Sequence, residues 1–353
     1  MRSHRSKAAV VAVALSALAV TAATATMPAT AQSSRLATTA APATTALSAT
    51  SAPAFPTFAQ LPADQAAHPD APQEWWYVVG HLNAHGHEFG YEVQIVAGAT
   101  PRTLIAITDK TTGQYYTQSQ VYPVDQTSFS ATELDVRVPS ATLSGPTDAM
   151  RLHATLPAGT VDLTLSAAGP AMYNNGTGLM PFLGGTSYYY SLPRLVSRGT
   201  VTVGGTAYQV TGQSWLDRQW GTWDWTTNDK WTWMALQLSN GDTINFWDIL
   251  DRTGEHSYAT VLRPNGTHEI VAVTPLAGGT GDWWTSPTTG KRYGTRWTVT
   301  IPGLDTALTV VAIPGQEIQS FGGIFEGAAG VTGRYHGKQI SGQAYVEQLG
   351  NWS

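Results

Sequence analysis

The sequence predicts an almost all-β protein built as two tandem antiparallel β-barrels, and three observations point there. From Glu74 onward, short aromatic and β-branched runs alternate with Gly, Asn, Asp and Pro, and no amphipathic helix exceeds about two turns. The composition sets 13 Trp and 14 Tyr beside 35 Gly, which suits strands around a lined cavity better than a helical bundle. One stretch also repeats. Thr200 to Asp217 matches Gly330 to Glu347, with Gly212 and Gln213 on Gly342 and Gln343, Trp215 on Tyr345, and Asp217 on Glu347. Each copy reads as strand, Gly turn and strand, ending in an aromatic-x-acid step. Evenly spaced short strands of this kind favour barrels, and about eight strands enclose a space fit for one small ligand.

The elements follow in chain order. Residues 1–31 read as a secretory signal peptide: Arg2, Arg5 and Lys7 precede an Ala/Val/Leu run, and Ala-x-Ala steps end at Ala25 and Ala31. The apolar run approaches spanning length, but it is rich in Ala and Thr and the small-residue steps follow directly. The expected product is a secreted chain with no transmembrane segment after cleavage. Residues 32–58 are Ala/Thr/Ser/Pro-rich and form an expected flexible linker. Residues 59–222 form the expected N-terminal barrel, and residues 223–353 the C-terminal one. The first opens on the hairpin Glu74–Leu82, turn 83–87, Phe89–Val96. The second opens on Trp231–Leu238, Ser239-Asn-Gly-Asp242, Thr243–Leu250, where Asn-Gly suggests a type I′ turn.

Charge and cysteine exclude whole classes of function. The net charge is −5 and four of the basic residues (Arg2, Arg5, Lys7, Arg35) precede the first acid, Asp64, so the remainder is more acidic still. Such a surface repels phosphate backbones and anionic lipid, and nucleic acid is not an expected partner. With no cysteine, thiol nucleophiles, disulfides and thiolate metal sites are absent. No Gly-x-Ser-x-Gly elbow is present, and the Gly-rich Gly322–Gly327 lacks the Lys of a phosphate loop.

Four motifs then stand in order: Glu74-Trp-Trp-Tyr-Val-Val-Gly-His-Leu82, Tyr188-Tyr-Tyr-Ser-Leu-Pro-Arg194, Trp215-Leu-Asp-Arg-Gln-Trp-Gly221 and Phe325-Glu-Gly327. Together they resemble the carotenoid 1,2-hydratase (hydroxyneurosporene synthase) and kievitone hydratase-like family over residues 70–352. The resemblance implies two packed lipocalin-like barrels, an apolar-substrate pocket, and neither metal nor organic cofactor. Reactions among such proteins range from water addition at an alkene to cyclisation. Relatives often read Asp-His where this chain has Asp217-Arg218. If that His carries protons in a relative, this chain lacks it.

Asp217 is the first candidate for chemistry. Strand alternation puts Trp215, Asp217 and Gln219 on one face, and Leu216, Arg218 and Trp220 on the other. An acid beside indole should have its pKa raised by desolvation and stay protonated, able to protonate an alkene. Aromatic faces would stabilise the resulting cation, and six Trp fall between Trp215 and Trp233. The competing role is structural, since the second copy keeps an acid at Glu347. Glu74 could be a second buried acid or the ion-pair partner of Arg194. His81 could relay a proton or be an ordinary hydrogen-bonded residue. His81, His85 and His87 invite a metal reading, but they sit on a strand end and a turn. Trp76, Tyr189, Arg194, Trp215, Trp220 and Trp233 are the expected substrate-binding residues.

Three functions compete at this level: a cofactor-free hydratase or dehydratase of an apolar isoprenoid or polyketide-like substrate, a cofactor-free cyclase (pericyclase or isomerase), and a secreted carrier of a hydrophobic small molecule. The first needs a protonated acid in the pocket. The second tolerates its removal, and the third binds without turnover.

Overall fold

The computed structural model describes residues 56–352. The expected leader, and the expected linker as far as residue 55, lie outside the described residues. Among the described residues there is no α-helix, only single 3₁₀ turns between strands. No helix among them is long and apolar enough to cross a membrane.

The strands form two antiparallel sheets of 13 and 10 strands. Along the first sheet lie Gln114–Val121, Arg102–Asp109, His87–Ala97, Gln73–Ala84, Thr206–Thr222, Gly185–Val203, Gly159–Ala167 and Met150–Leu156, with three short strands beyond. Along the second lie His268–Ala272, Gly254–Leu262, Thr243–Asp251, Asn228–Leu238, Lys338–Gly350, Ile324–Tyr335, Thr306–Ala312, Arg292–Ile301 and Thr280–Thr285. The connectivity is the same in both. The opening strand pairs with the closing one, so Gln73–Ala84 lies beside Thr206–Thr222, and Asn228–Leu238 beside Lys338–Gly350. The link between sheets is the short Trp223–Thr227 segment.

Each sheet curls over its own apolar core. The first core includes Val78, Phe89, Val93, Ile105, Leu152, Leu163 and Leu216. The second includes Met234, Leu236, Phe246, Val261, Val299, Leu308 and Val346. These apolar side chains pack into the interior of each barrel. A third core lies between the sheets and takes residues from both: Tyr77, Val79, Tyr189, Trp215, Trp233, Ala235, Trp247 and Tyr345. The four opening and closing strands are therefore buried on both faces, one facing a barrel interior and the other this seam. Hydrogen bonds cross it, from Tyr77 Oη to Glu326 at 2.7 Å, Gln237 Nε2 to Pro193 O at 2.7 Å, and Thr108 Oγ1 to Gln316 at 2.6 Å.

The sequence repeat coincides with the strands that frame the seam. Asp217 pairs with Tyr77 and Glu347 with Trp233, while Trp215 pairs with Val79 and Tyr345 with Ala235. Gly212 and Gly342 are equivalent for a steric reason: a Cβ would sit 2.0 Å from the His81 carbonyl oxygen and 2.4 Å from that of Gln237. The ungapped match fails on the preceding strands. Gln213 faces Val196 and Gln343 faces Gly330, because the second hairpin is shorter, turning at His336-Gly337 where the first turns at Gly204-Gly205. Both of these turns carry positive φ at two residues, as type I′ requires. The Ser239–Asp242 turn does not: only Gly241 has positive φ, so the longer loop closes through a single left-handed residue.

Candidate functional site: an acid-bearing seam between the sheets

Asp217 sits on the seam face of its strand, 3% exposed. Its carboxyl accepts hydrogen bonds from the Tyr189 hydroxyl and from the Trp215 indole N–H, with Ser191 as a third donor. All three donors are neutral. Burial pushes the carboxyl up to about 7, and these bonds keep it from rising further. The second sheet braces the donor: Asn245 Nδ2 donates to Tyr189 Oη at 2.7 Å, and Trp233 Nε1 donates to the same oxygen at 3.2 Å. The sheets therefore share one network, in which groups of one hold the tyrosine that hydrogen-bonds the acid of the other.

Asp217 is not alone. Glu347, its repeat equivalent, is pushed up to about 8 by burial, with the Asp217 charge adding to the rise. Glu326 lies directly across the strand pair from Glu347. Its Oε2 accepts from Tyr77 Oη, and burial holds its pKa well above the usual range. Burial does the same for Glu92, whose two carboxyl oxygens have no hydrogen-bond partner, and the Glu347 charge adds to the rise. None of these four carboxyls makes an ion pair among the described residues. Four buried carboxyls without a cation are stable only if largely protonated.

Asp217 and Glu347 open onto a narrow cavity of about 40 Å³, walled by Trp75, Tyr77, Tyr189, Trp231, Trp233 and Trp247. That volume suits a water or two rather than an apolar substrate. Arg102 and Phe321 stand at its edge, the guanidinium 4.7 Å from the ring centroid. Next to it, Phe182 packs edge-on against Trp247 and Trp223. Phe182 also lines a separate cleft of about 560 Å³ with Met180, Ile249, Tyr258 and Ile270.

Of the residues expected around Asp217, Tyr189, Trp215 and Trp233 are there. Trp76 and Trp220 are not. They lie on the opposite strand faces, inside the first barrel, where Arg218 is completely buried 4.0 Å from the Trp76 ring centroid and 5.2 Å from that of Trp220. Alternation along the strand already separates Trp220 from Asp217, and the register, with Trp76 opposite Arg218, separates Trp76. Glu74 points into the same interior. It pairs with Arg218 at 2.7 Å and with His68 at 2.7 Å, not with Arg194. Although burial acts to raise the Glu74 pKa, the His68 bonds and the Arg218 charge bring it below the usual value, which removes it as a proton relay. Residue 218 faces away from the seam, so a His there would not reach the Asp217 carboxyl along this strand.

His81 lies on the seam face four pairs along from Tyr77, at the other end of the seam, with Nε2 donating to Ala344 O at 2.9 Å. Burial lowers its pKa to about 4, so it is neutral and is no relay to Asp217. His87 turns toward Asp109 at 3.7 Å, and no cluster of three metal-ligating His or acid groups forms among the described residues. Arg194 stands at the His81 end as well. The functional-looking residues that sequence reasoning missed are Tyr77, Glu92, Asn245, Trp247 and Glu326. Their signal is a single polar residue in an apolar strand, as in Phe89-Gly-Tyr-Glu-Val93 and Ile244-Asn-Phe246.

This architecture defines a lipocalin-like double-barrel protein with a buried acid and aromatic seam. The sequence profile of the AttH-like family matches residues 53–351, and the chain belongs to that family. Among curated proteins it is 27% identical to dehydratase AsqC of Emericella nidulans over 213 residues, 56% of this chain and 60% of that protein. It is 25% identical to kievitone hydratase of Fusarium solani subsp. phaseoli over 254 residues, 66% of this chain and 71% of that one. The match therefore spans less than two thirds of AsqC. Among solved structures, an AttH protein from Nitrosomonas europaea superposes with a TM-score of 0.75 at 23% identity, covering 86% of this chain and all of that one. Kievitone hydratase from Nectria haematococca superposes with a TM-score of 0.71 at 20% identity, covering 81% and 92%. Both share the fold.

Proposed function

We propose that the protein is a cofactor-independent hydratase or dehydratase of an apolar, isoprenoid or polyketide-like small molecule, with Asp217 as its acid. The observation that carries this reading is a carboxyl with a pKa of about 7, buried among indoles and held only by neutral donors. The two curated relatives, a dehydratase and a hydratase, support the same reaction class. In the dehydrating direction, protonated Asp217 gives its proton to a leaving hydroxyl and the C–O bond breaks. Water departs, and the carboxylate takes a proton from the neighbouring carbon, restoring the acid and leaving an alkene. Hydration is the reverse. Cationic charge developing at carbon would face Trp233 and Trp247. In this reading the substrate's apolar body occupies the cleft that Phe182 lines with Met180, Ile249, Tyr258 and Ile270, and reaching the acid requires the Phe182 ring to move.

Purified protein incubated with extract of its producing cells should shift a metabolite by the mass of one water, and Asp217→Asn should abolish the shift. A product of unchanged mass formed equally by the variant would replace this reading with a cyclase; binding without any product would replace it with a carrier. We further propose that the chain is exported and that the mature protein starts between about residues 26 and 35. N-terminal sequencing of material from the culture medium tests this, and an intact Met1 there would refute it.

A further inference from the structure

The seam has a second opening. One same-face position along the strands from the acids sit Val79, Trp215, Ala235 and Tyr345, and beyond them lies a cleft of about 570 Å³ lined by His81, Arg194, Gln213, Gln237, Thr243 and Gln343. Gln213 and Asp217 share a strand face four residues apart, so the two openings are about 13 Å from one another. The volume is that of a site for a small organic molecule.

Arg194 reaches this cleft through a break in strand alternation. Pairing between Gly185–Val203 and Thr206–Thr222 shifts between Leu192 and Leu195, both of which face the first barrel's core, so Pro193 and Arg194 bulge out between them. Such bulges re-aim side chains. This one is held from both sides: Gln237 of the other sheet donates to Pro193 O at 2.7 Å, and the Ala168 N–H donates to Arg194 O at 2.8 Å. The side chain then passes two glycines that leave room for it. A Cβ on Gly169 would lie 3.1 Å from Arg194 Cδ, and one on Gly241 would lie 2.8 Å from Nη2. Nη2 is buried and has no protein partner. The nearby carboxylate, Asp242, is taken by Arg263 at 2.5 Å.

The acceptor side is equally defined. His81 is 4% exposed, and because its Nε2 donates to Ala344 O, Nδ1 is left as a buried lone pair with no partner. The Thr243 hydroxyl is also buried and unpartnered. A guanidinium donor, an imidazole acceptor and a hydroxyl thus converge on one cleft. Buried polar groups of this kind are stable when a partner completes them.

We infer that this cleft is a second ligand site, distinct from the Asp217 cavity, for a small oxygenated organic acid: a carboxylate on Arg194 and a hydroxyl donating to His81 Nδ1. The inference stands whether or not Asp217 is catalytic. The probe is 4-hydroxybenzoate, which carries both groups, with 4-hydroxybenzamide as the uncharged comparison that keeps the hydroxyl. Saturable binding measured by calorimetry should weaken at least about tenfold in Arg194→Gln and in the switch to 4-hydroxybenzamide, as loss of a charge-assisted pair predicts. Arg194→Lys, which keeps the charge and loses the planar fork, should fall between, and Asp217→Asn should bind as the parent does. Equal binding by Arg194→Gln and the parent, no saturable binding by the parent, or loss of binding in Asp217→Asn alone would each overturn the assignment.

Discussion

Replacing Asp217 with Asn separates a catalytic acid from a structural one, because activity and stability should move in opposite directions at alkaline pH. The carboxyl has an ordinary value of 3.8 and sits at about 7 in the fold. Its pKa is raised, so the folded state binds its proton more tightly than the unfolded chain does. Stability from this group is complete below about pH 4 and is lost as pH rises toward 7. At 1.36 kcal/mol per pH unit, ionised Asp217 costs the fold roughly 4 kcal/mol. Asn never ionises and avoids that cost. It does carry an amide N–H₂ where Tyr189 and Trp215 both donate, and such a mismatch costs about 1–3 kcal/mol at any pH. The two effects predict a crossover: the variant should be less stable than the parent near pH 4 and more stable by about 1–3 kcal/mol near pH 8. Urea unfolding at several pH values reads this directly, and the slope of the difference does not depend on the mismatch. Turnover in the water-loss assay should fall by about two to four decades. A variant less stable at every pH, with a difference that does not change between pH 5 and 8, would show that Asp217 is ionised in the fold and would refute the acid role.

The other carboxyls extend the same logic. Glu347 at about 8, with Glu92 and Glu326 also raised, contributes stability that disappears as pH climbs from about 5 to 8, so the melting temperature should fall markedly between about pH 6 and 9; a flat profile would contradict the buried, protonated cluster. Glu74 has the opposite sign. Its lowered pKa gives stability above its ordinary 4.5 that is lost as pH falls through the folded value, and Glu74→Gln, which leaves Arg218 buried without its carboxylate, should cost about 3–5 kcal/mol at pH 7 by denaturant titration. Gly212→Ala puts a Cβ 2.0 Å from a carbonyl oxygen of the neighbouring strand and should lower stability by about 1–3 kcal/mol, visible as a shifted urea midpoint.

Much of the architecture follows from short-range rules. Strand and turn chemistry locates the hairpins at 73–97 and 228–251, and the Trp215/Tyr345 and Asp217/Glu347 repeat marks the two closing strands and their shared register. Alternation is also local, which is why the sequence separates Asp217 and Trp215 from Arg218 and Trp220, and why including Trp220 among the residues around Asp217 conflicts with the chain's own period of two; the place of Trp76, opposite Arg218, follows only from the pairing of two strands. Tyr77 could have been added by the same rule once its pairing with Asp217 was known, but pairing is a contact between strands 140 residues apart. The partner of Arg218 was not legible, because ion pairing depends on which faces close over one another. Even less could the sequence show that the sheets meet back to back. That packing turns four strands into elements buried on both faces, brings Glu347 beside Asp217, and places two openings between the barrels. Local preference acts over a few residues, whereas desolvation depends on everything packed around a group. The sequence determined which carboxyls exist and which way their strands point them; only the tertiary structure removed them from water and made them acids.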